Sequence, residues 1–157
     1  MPLILARVDD RLIHGQVTEG WCPKLTPVII LVVSEDVAAS DWHRELCLAS
    51  LPPSITGLVT NVAEAPAAIN KLQDDARFSY VLFESPADAY KAVKNGALLT
   101  EINIGGMHST SGKREILDHI FVDDEDVKYI KGLRELGIKL DFRDLPDSEK
   151  TDVLSRL

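Results

Sequence analysis

Cysteine is nearly absent: Cys22 and Cys47 are the only two in 157 residues. They form no Cys-x-x-Cys unit and have no histidine at zinc-ligand spacing, so neither a disulfide framework nor a zinc site is expected. Two buried or half-buried thiols in a reducing compartment are. No apolar run approaches the ~20 residues of a membrane span. The N-terminus lacks a basic region followed by an apolar signal segment. Both absences predict a cytoplasmic protein that would dock to any membrane partner from the water side. Positive charge is in deficit, with 17 Lys+Arg against 25 Asp+Glu and a formal net charge of −8. That excludes general nucleic-acid binding, which needs a basic footprint. Nucleotide-binding loops are missing as well. Gly112-Lys113 is followed by Arg114, and Met107 stands where a phosphate-binding loop needs its first glycine. No G-x-G-x-x-G follows a strand. Neither ATP, GTP, NAD, another cofactor nor a metal is expected.

What is present is an ordinary globular composition, 45% hydrophobic and 27% charged. It suits one domain over residues 1–157 with one substantial core. No repeat, low-complexity tract or linker interrupts it. The pattern reads as strands alternating with helices. Strands are expected at Leu3–Ala6, Val28–Val33, Ile55–Thr60, Tyr80–Phe83, Leu98–Ile104, Ile116–Val122 and Ile138–Arg143. Helices are expected from Gln16 to Trp21 and from Ser34 to Ser50. Others carry the stripes Val62-Ala65-Ile69-Leu72 and Val127-Ile130-Leu133, or open at Ser85-Pro86, and a short terminal one starts at Pro146. This alternation predicts a doubly wound α/β fold, a mostly parallel sheet of about seven strands with helices on both faces. Ligands in such folds gather beyond the carboxyl ends of the strands. A strand order of 3-2-1-4-5 would put the switch point between the first and fourth strands.

The chain is organised around Arg7-Val-Asp-Asp-Arg-Leu-Ile-His-Gly-Gln-Val17. A buried strand ends abruptly in Arg7, Asp9, Asp10 and Arg11, then delivers His14 to the start of a helix. A neutral imidazole is a good nucleophile near pH 7. Backbone N–H groups at the helix start, with Gly15 and the Gln16 side chain beside them, favour an anion such as phosphate. The Arg11 guanidinium can hold two phosphate oxygens. Arg7 either joins it or orders the loop through a carboxylate. Of Asp9 and Asp10, one is expected to orient His14 or an arginine and the other to face solvent, because two free carboxylates would repel a phosphoryl group. Gly105, Gly106, Met107 and His108 follow the fifth strand and should form the other wall. His43 and His119 read as surface or packing residues, and Trp21 as core or a partner contact.

The first segment closely resembles the active-site segment of the IIB component of mannose/fructose/sorbose-type sugar phosphotransferase systems, and Ile102-Asn-Ile-Gly-Gly-Met-His108 is a second, shorter match. The resemblance implies the doubly wound fold and His14 as catalytic residue. It implies a protein-N(pi)-phosphohistidine–sugar phosphotransferase: His14 takes a phosphoryl group from a phosphorylated IIA partner and passes it to a sugar entering through membrane components. A regulatory phosphorelay protein and a non-covalent small-ligand module are the alternatives. Self-association stays open.

Overall fold

A computed structural model describes residues 3–148 and Leu157, leaving aside the side chains of Leu3, Ile4, Gln16 and Leu25. The terminal helix expected beyond Pro146 lies mainly outside these residues. Six strands form one parallel sheet: β1 (Leu3–Asp9), β2 (Ile29–Val33), β3 (Thr56–Thr60), β4 (Ser79–Phe83), β5 (Glu101–Gly106) and β8 (Lys139–Asp141). Two more, β6 (Arg114–Leu117) and β7 (Ile120–Val122), make a separate antiparallel hairpin. The helical elements are a π-helical turn at Gln16–Trp21 running into α1 (Cys22–Leu25), then α2 (Glu35–Ala38), α3 (Asp41–Leu48), α4 (Ala65–Asp74), α5 (Pro86–Lys94) and α6 (Asp124–Glu135).

The order across the sheet is β3-β2-β4-β1-β5-β8. The expected 3-2-1-4-5 is therefore corrected: β1 and β4 exchange places. β1 is enclosed by β4 and β5, with Leu5 opposite Tyr80 and Arg7 opposite Asn103. Connections from β1 to β2 and from β2 to β3 travel one way, and their helices cover one face. Connections onward through β4, β5 and β8 travel the other way, and α4, α5 and α6 cover the opposite face. A uniform crossover hand requires that separation.

Burial follows from this layering. β2 and β4 are buried at every position, as strands covered on both faces must be. Ala6, Val8, Leu31, Val81, Phe83, Ile102 and Ile104 meet the stripes of α4, α5 and α6. Ile30, Val32, Tyr80 and Leu82 meet Leu12, Val17, Trp21 and Val37 on the other side. Fully burying one such aliphatic side chain is worth about 1.5–3 kcal/mol.

Two expected elements divide. The helix from Ser34 to Ser50 is α2 and α3, because Ser34 and Ser40 each take extended backbone and cap a helix start, accepting hydrogen bonds from the Val37 and His43 amides. The strand expected at Ile116–Val122 folds back on itself between Leu117 and Ile120 to pair as a hairpin.

Candidate active site

β1 alternates in the ordinary way. Ala6 and Val8 enter the core under α4, α5 and α6, so Arg7 and Asp9 point to the other face, beneath the Gln16–Trp21 helix. Both are fully buried. A buried arginine needs acceptors for its fork of N–H groups. Arg7 donates through Nη2 to Asp9 Oδ2 at 3.1 Å, and through Nη1 to Asn103 Oδ1 at 2.7 Å and the Arg143 carbonyl at 3.4 Å. Its guanidinium lies 5.5 Å from the Trp21 ring centroid, with Arg143 5.8 Å from the same ring. Asn103 donates in turn to Asp141 Oδ2 at 3.2 Å and to the Arg143 carbonyl at 2.9 Å. A polar chain thus runs across three strands, from Asp141 through Asn103 and Arg7 to Asp9.

Asp9 is where that chain meets His14. Its Oδ2 lies 2.6 Å from His14 Nε2, and its Oδ1 accepts from the Arg11 amide at 3.0 Å, with Arg11 Nε at 3.8 Å. Burial pushes the Asp9 carboxyl up, but the His14 hydrogen bond and the Arg7 charge outweigh it and hold the group below its ordinary value. Burial lowers the Arg7 pKa from its ordinary value, against the opposing pull of Asp9; an arginine keeps its charge regardless. An ionised Asp9 accepts only, so His14 Nε2 is the donor of this bond.

The loop itself is tightly wound. The Leu12 amide donates to the Asp9 carbonyl, Leu12 takes a positive φ of 59°, and its side chain anchors in the core. The His14 carbonyl then accepts from the Val17 and Thr18 amides, starting the helix. His14 is 15% exposed at its side chain and Arg11 41%, so the imidazole sits in a recess with a cation at the rim. A cleft of about 280 Å³ leads from Leu12 and Ile13 to His43, Leu46 and Cys47 on α3.

The residues expected as the second wall run along the end of β5 and just beyond it, beside β1. Arg7 pairs with Asn103 and Asp9 with Gly106 in the β1–β5 register. The glycines are strand, not loop, and close approach explains them. A Cβ on Gly105 would lie 2.0 Å from Arg7 Cζ, and one on Gly106 3.0 Å from the Asp9 carboxylate. Met107 is held against the hairpin through His119 and Phe121. His108 turns back to Asp10, its amide 2.7 Å from Oδ2 and its Nδ1 2.5 Å from Oδ1.

His14, Asp9, Arg11, Gly15, Gly106 and His108 therefore converge at one sheet edge. Arg7 does not join them at the surface: of its two expected roles, phosphate contact or ordering of the loop through a carboxylate, it takes the second, lying wholly beneath the site and bracing Asp9. Asp10, expected as the solvent-facing or orienting carboxylate, ties the two loops together. Gly15 has an ordinary right-handed backbone, and a Cβ there meets nothing nearer than Glu19 at 3.9 Å. The Gln16 side chain lies outside the described residues. Asn103, Asp141 and Arg143 were missed. The available signal was Asn103 itself, a polar residue alternating with Ile102 and Ile104 in a buried strand. Among the described residues no cluster of His, Cys, Asp or Glu is arranged to hold a metal ion.

A doubly wound α/β protein with a carboxylate-held histidine at the carboxyl edge of its first strand is the class these features define. The sequence model described as "PTS system sorbose subfamily IIB component" matches residues 3–157, and the chain belongs to that family. The sorbose-specific EIIB component of Lacticaseibacillus casei is 35% identical over 157 residues, covering all of this chain and 96% of that protein. The mannose-specific EIIAB component of Escherichia coli K12 is 34% identical over all of this chain, which spans 50% of it. The crystal structure of the IIBSor domain of the sorbose permease from Klebsiella pneumoniae superposes with a TM-score of 0.89 at 31% identity, covering 99% of this chain and 96% of that one.

Proposed function

We propose that the whole chain acts as one cytoplasmic phosphoryl-carrier domain, with His14 as the residue phosphorylated. The observation that carries this reading is the 2.6 Å contact between Asp9 and His14 Nε2 in a member of a phosphotransferase family. Asp9 keeps the proton on Nε2, so Nδ1 attacks the phosphorus of a phosphohistidine on a IIA partner. The bond from phosphorus to the donor nitrogen breaks as the bond to Nδ1 forms. The ring becomes cationic, and the buried Asp9 carboxylate stabilises that charge. In the second step a sugar hydroxyl attacks phosphorus and gives its proton to water, while the P–N bond breaks and its electron pair returns to Nδ1, leaving the ring neutral with its proton on Nε2. The transition states are loose and anionic, so alignment and charge stabilisation supply most of the catalysis. Arg11 at the rim and the backbone N–H groups at Gly15 and Gln16 meet the phosphoryl oxygens, with no metal required.

A relative named EIIAB, of which this chain matches half, supports a IIA-type donor. The onward partners are membrane sugar-translocating components, approached from the water side, and the interface is transient because the group must be handed on. The test is intact mass at alkaline pH after incubation with phosphoenolpyruvate, the general phosphotransferase proteins and a cognate IIA. One acid-labile phosphoryl group is expected, absent from His14→Ala. No added mass, with the IIA shown to be phosphorylated, overturns the carrier role.

A further inference from the structure

The lysines and arginines are not distributed evenly. Arg7, Arg11, Lys24, Arg44, Arg77 and Lys113 each have a carboxylate within ion-pair distance, as do Arg114 and Arg143. Among the described residues, all the remaining cations except Lys71 lie on α5, α6 and the first residue of β8: Lys91, Lys94, Lys128, Lys131, Arg134 and Lys139. In an acidic chain this gathers cations along one packed pair of helices, which also carries Asp88, Asp124, Glu125, Asp126 and Glu135. Last-turn cations on α5 and α6 complement the helix dipoles, but Lys128 stands in the second turn of α6, where that account does not reach.

A groove of about 470 Å³ lies between α5 and α6, within the ~300–1,000 Å³ of small-molecule sites. Tyr90 and Tyr129 line it, with ring centroids 5.4 Å apart. Gly132 also lines it, and a Cβ there would come 2.8 Å from Tyr90 Cε2. Lys94 Nζ lies 5.6 Å from the Tyr90 ring and Lys128 Nζ 5.5 Å from the Tyr129 ring, so each of these two lining lysines is held by one of the two rings. Lys91 and Glu135 complete the lining.

We propose that this groove binds a small phosphomonoester with a hydroxylated ring, a sugar phosphate. Lys94 and Lys128 exchange their contacts with the rings for stronger charge-assisted bonds to the phosphate. A tyrosine face takes the apolar side of the sugar ring, and Glu135 accepts from its hydroxyls. A carboxylate among the lysines disfavours a uniformly acidic peptide. A membrane surface is disfavoured by topology: α5 and α6 run antiparallel to the strands, so the groove sits toward the edge opposite His14. A partner engaged at His14 leaves it open. The phosphate-and-hydroxyl chemistry stands on the groove alone, while the choice of a sugar as the body rests on the phosphotransferase reading.

The test is amide chemical-shift titration of the whole chain with glucose 6-phosphate, inorganic phosphate and glucose. Saturable shifts at Tyr90, Lys94, Tyr129 and Gly132 are expected with glucose 6-phosphate, weaker ones with phosphate and none with glucose. Lys94→Glu with Lys128→Glu should raise the dissociation constant at least about tenfold, while His14 phosphorylation stays at its normal level and reports an intact fold. Equal shifts with inorganic phosphate, unchanged binding by the double variant, or shifts centred on the His14 loop would overturn the proposal. Failure of the carrier role is read separately, by the mass assay.

Discussion

Asp9 accepts from three directions with two oxygens, and nothing but a carboxylate can do so. In Asp9→Asn, an amide oxygen placed toward His14 and Arg7 leaves the amide N–H₂ facing the Arg11 N–H, and the cationic phospho-ring loses its counter-charge. We predict that phosphoryl transfer to His14 falls about 10²- to 10³-fold, measured by rapid quench. The same substitution has a pH signature. A carboxyl held below its unfolded value stabilises the fold in full above that value, about 3.9, and ceases to as pH falls through its lower folded value. Denaturant midpoints of the parent should therefore drop more steeply than those of Asp9→Asn on acidification below about pH 4. Gly105 makes a second point about fine placement. Its missing Cβ is the space that Arg7 occupies, and Gly105→Ala should cost about 3 kcal/mol or more in urea unfolding, because a buried ion network must move. Gly20→Ala meets only the end of the Leu145 side chain and should be near neutral in the same assay.

At the scale of elements, Ser34 links β2 to α2 twice over. Its hydroxyl caps the helix at the Val37 amide, 3.2 Å away, and donates to Glu84 Oε2 at 2.5 Å. Ser34→Ala should lower unfolding stability by about 1–2 kcal/mol, and a change within error would show that water replaces both bonds. The same residue shows what a sequence conceals. Residues 28–33 announce a buried strand through six consecutive apolar positions. The capping power of Ser34 is equally plain, but that of Ser40 is not, since a serine inside an apolar stripe reads as helix until a neighbouring strand fixes its backbone. The charged loop that leads from β1 to His14 was legible because polar and titratable residue types crowd into a short run. The depth of Arg7 was not. Whether a strand-end arginine faces phosphate or interior depends on which strands flank it, and the exchange of β4 and β1 settles that only in three dimensions. Asp141 and Arg143 stay invisible for the same reason, lying far from the loop in sequence and joined to it through Asn103.

For the molecule as a whole, a formal charge of −8 makes encounter with a partner sensitive to salt. If the IIA donor presents positive charge around its own site, the second-order rate of transfer to His14 should fall several-fold between about 0.05 and 0.5 M salt. A flat profile in stopped-flow or quench measurements would assign the association to apolar contact instead. The position of β1 carries one last consequence. Within this sheet it is made before its hydrogen-bonding neighbours, β4 and β5, and the Arg7–Asn103 contact spans 96 residues. Until Gly106 has emerged, the nascent chain can hold neither wall of the recess nor the acceptor that fixes Arg7. His14 is thus made long before the strands that flank its loop, so on the proposed reading a chain halted before β5 carries the side chain that would take the phosphoryl group but not the setting that would make it reactive.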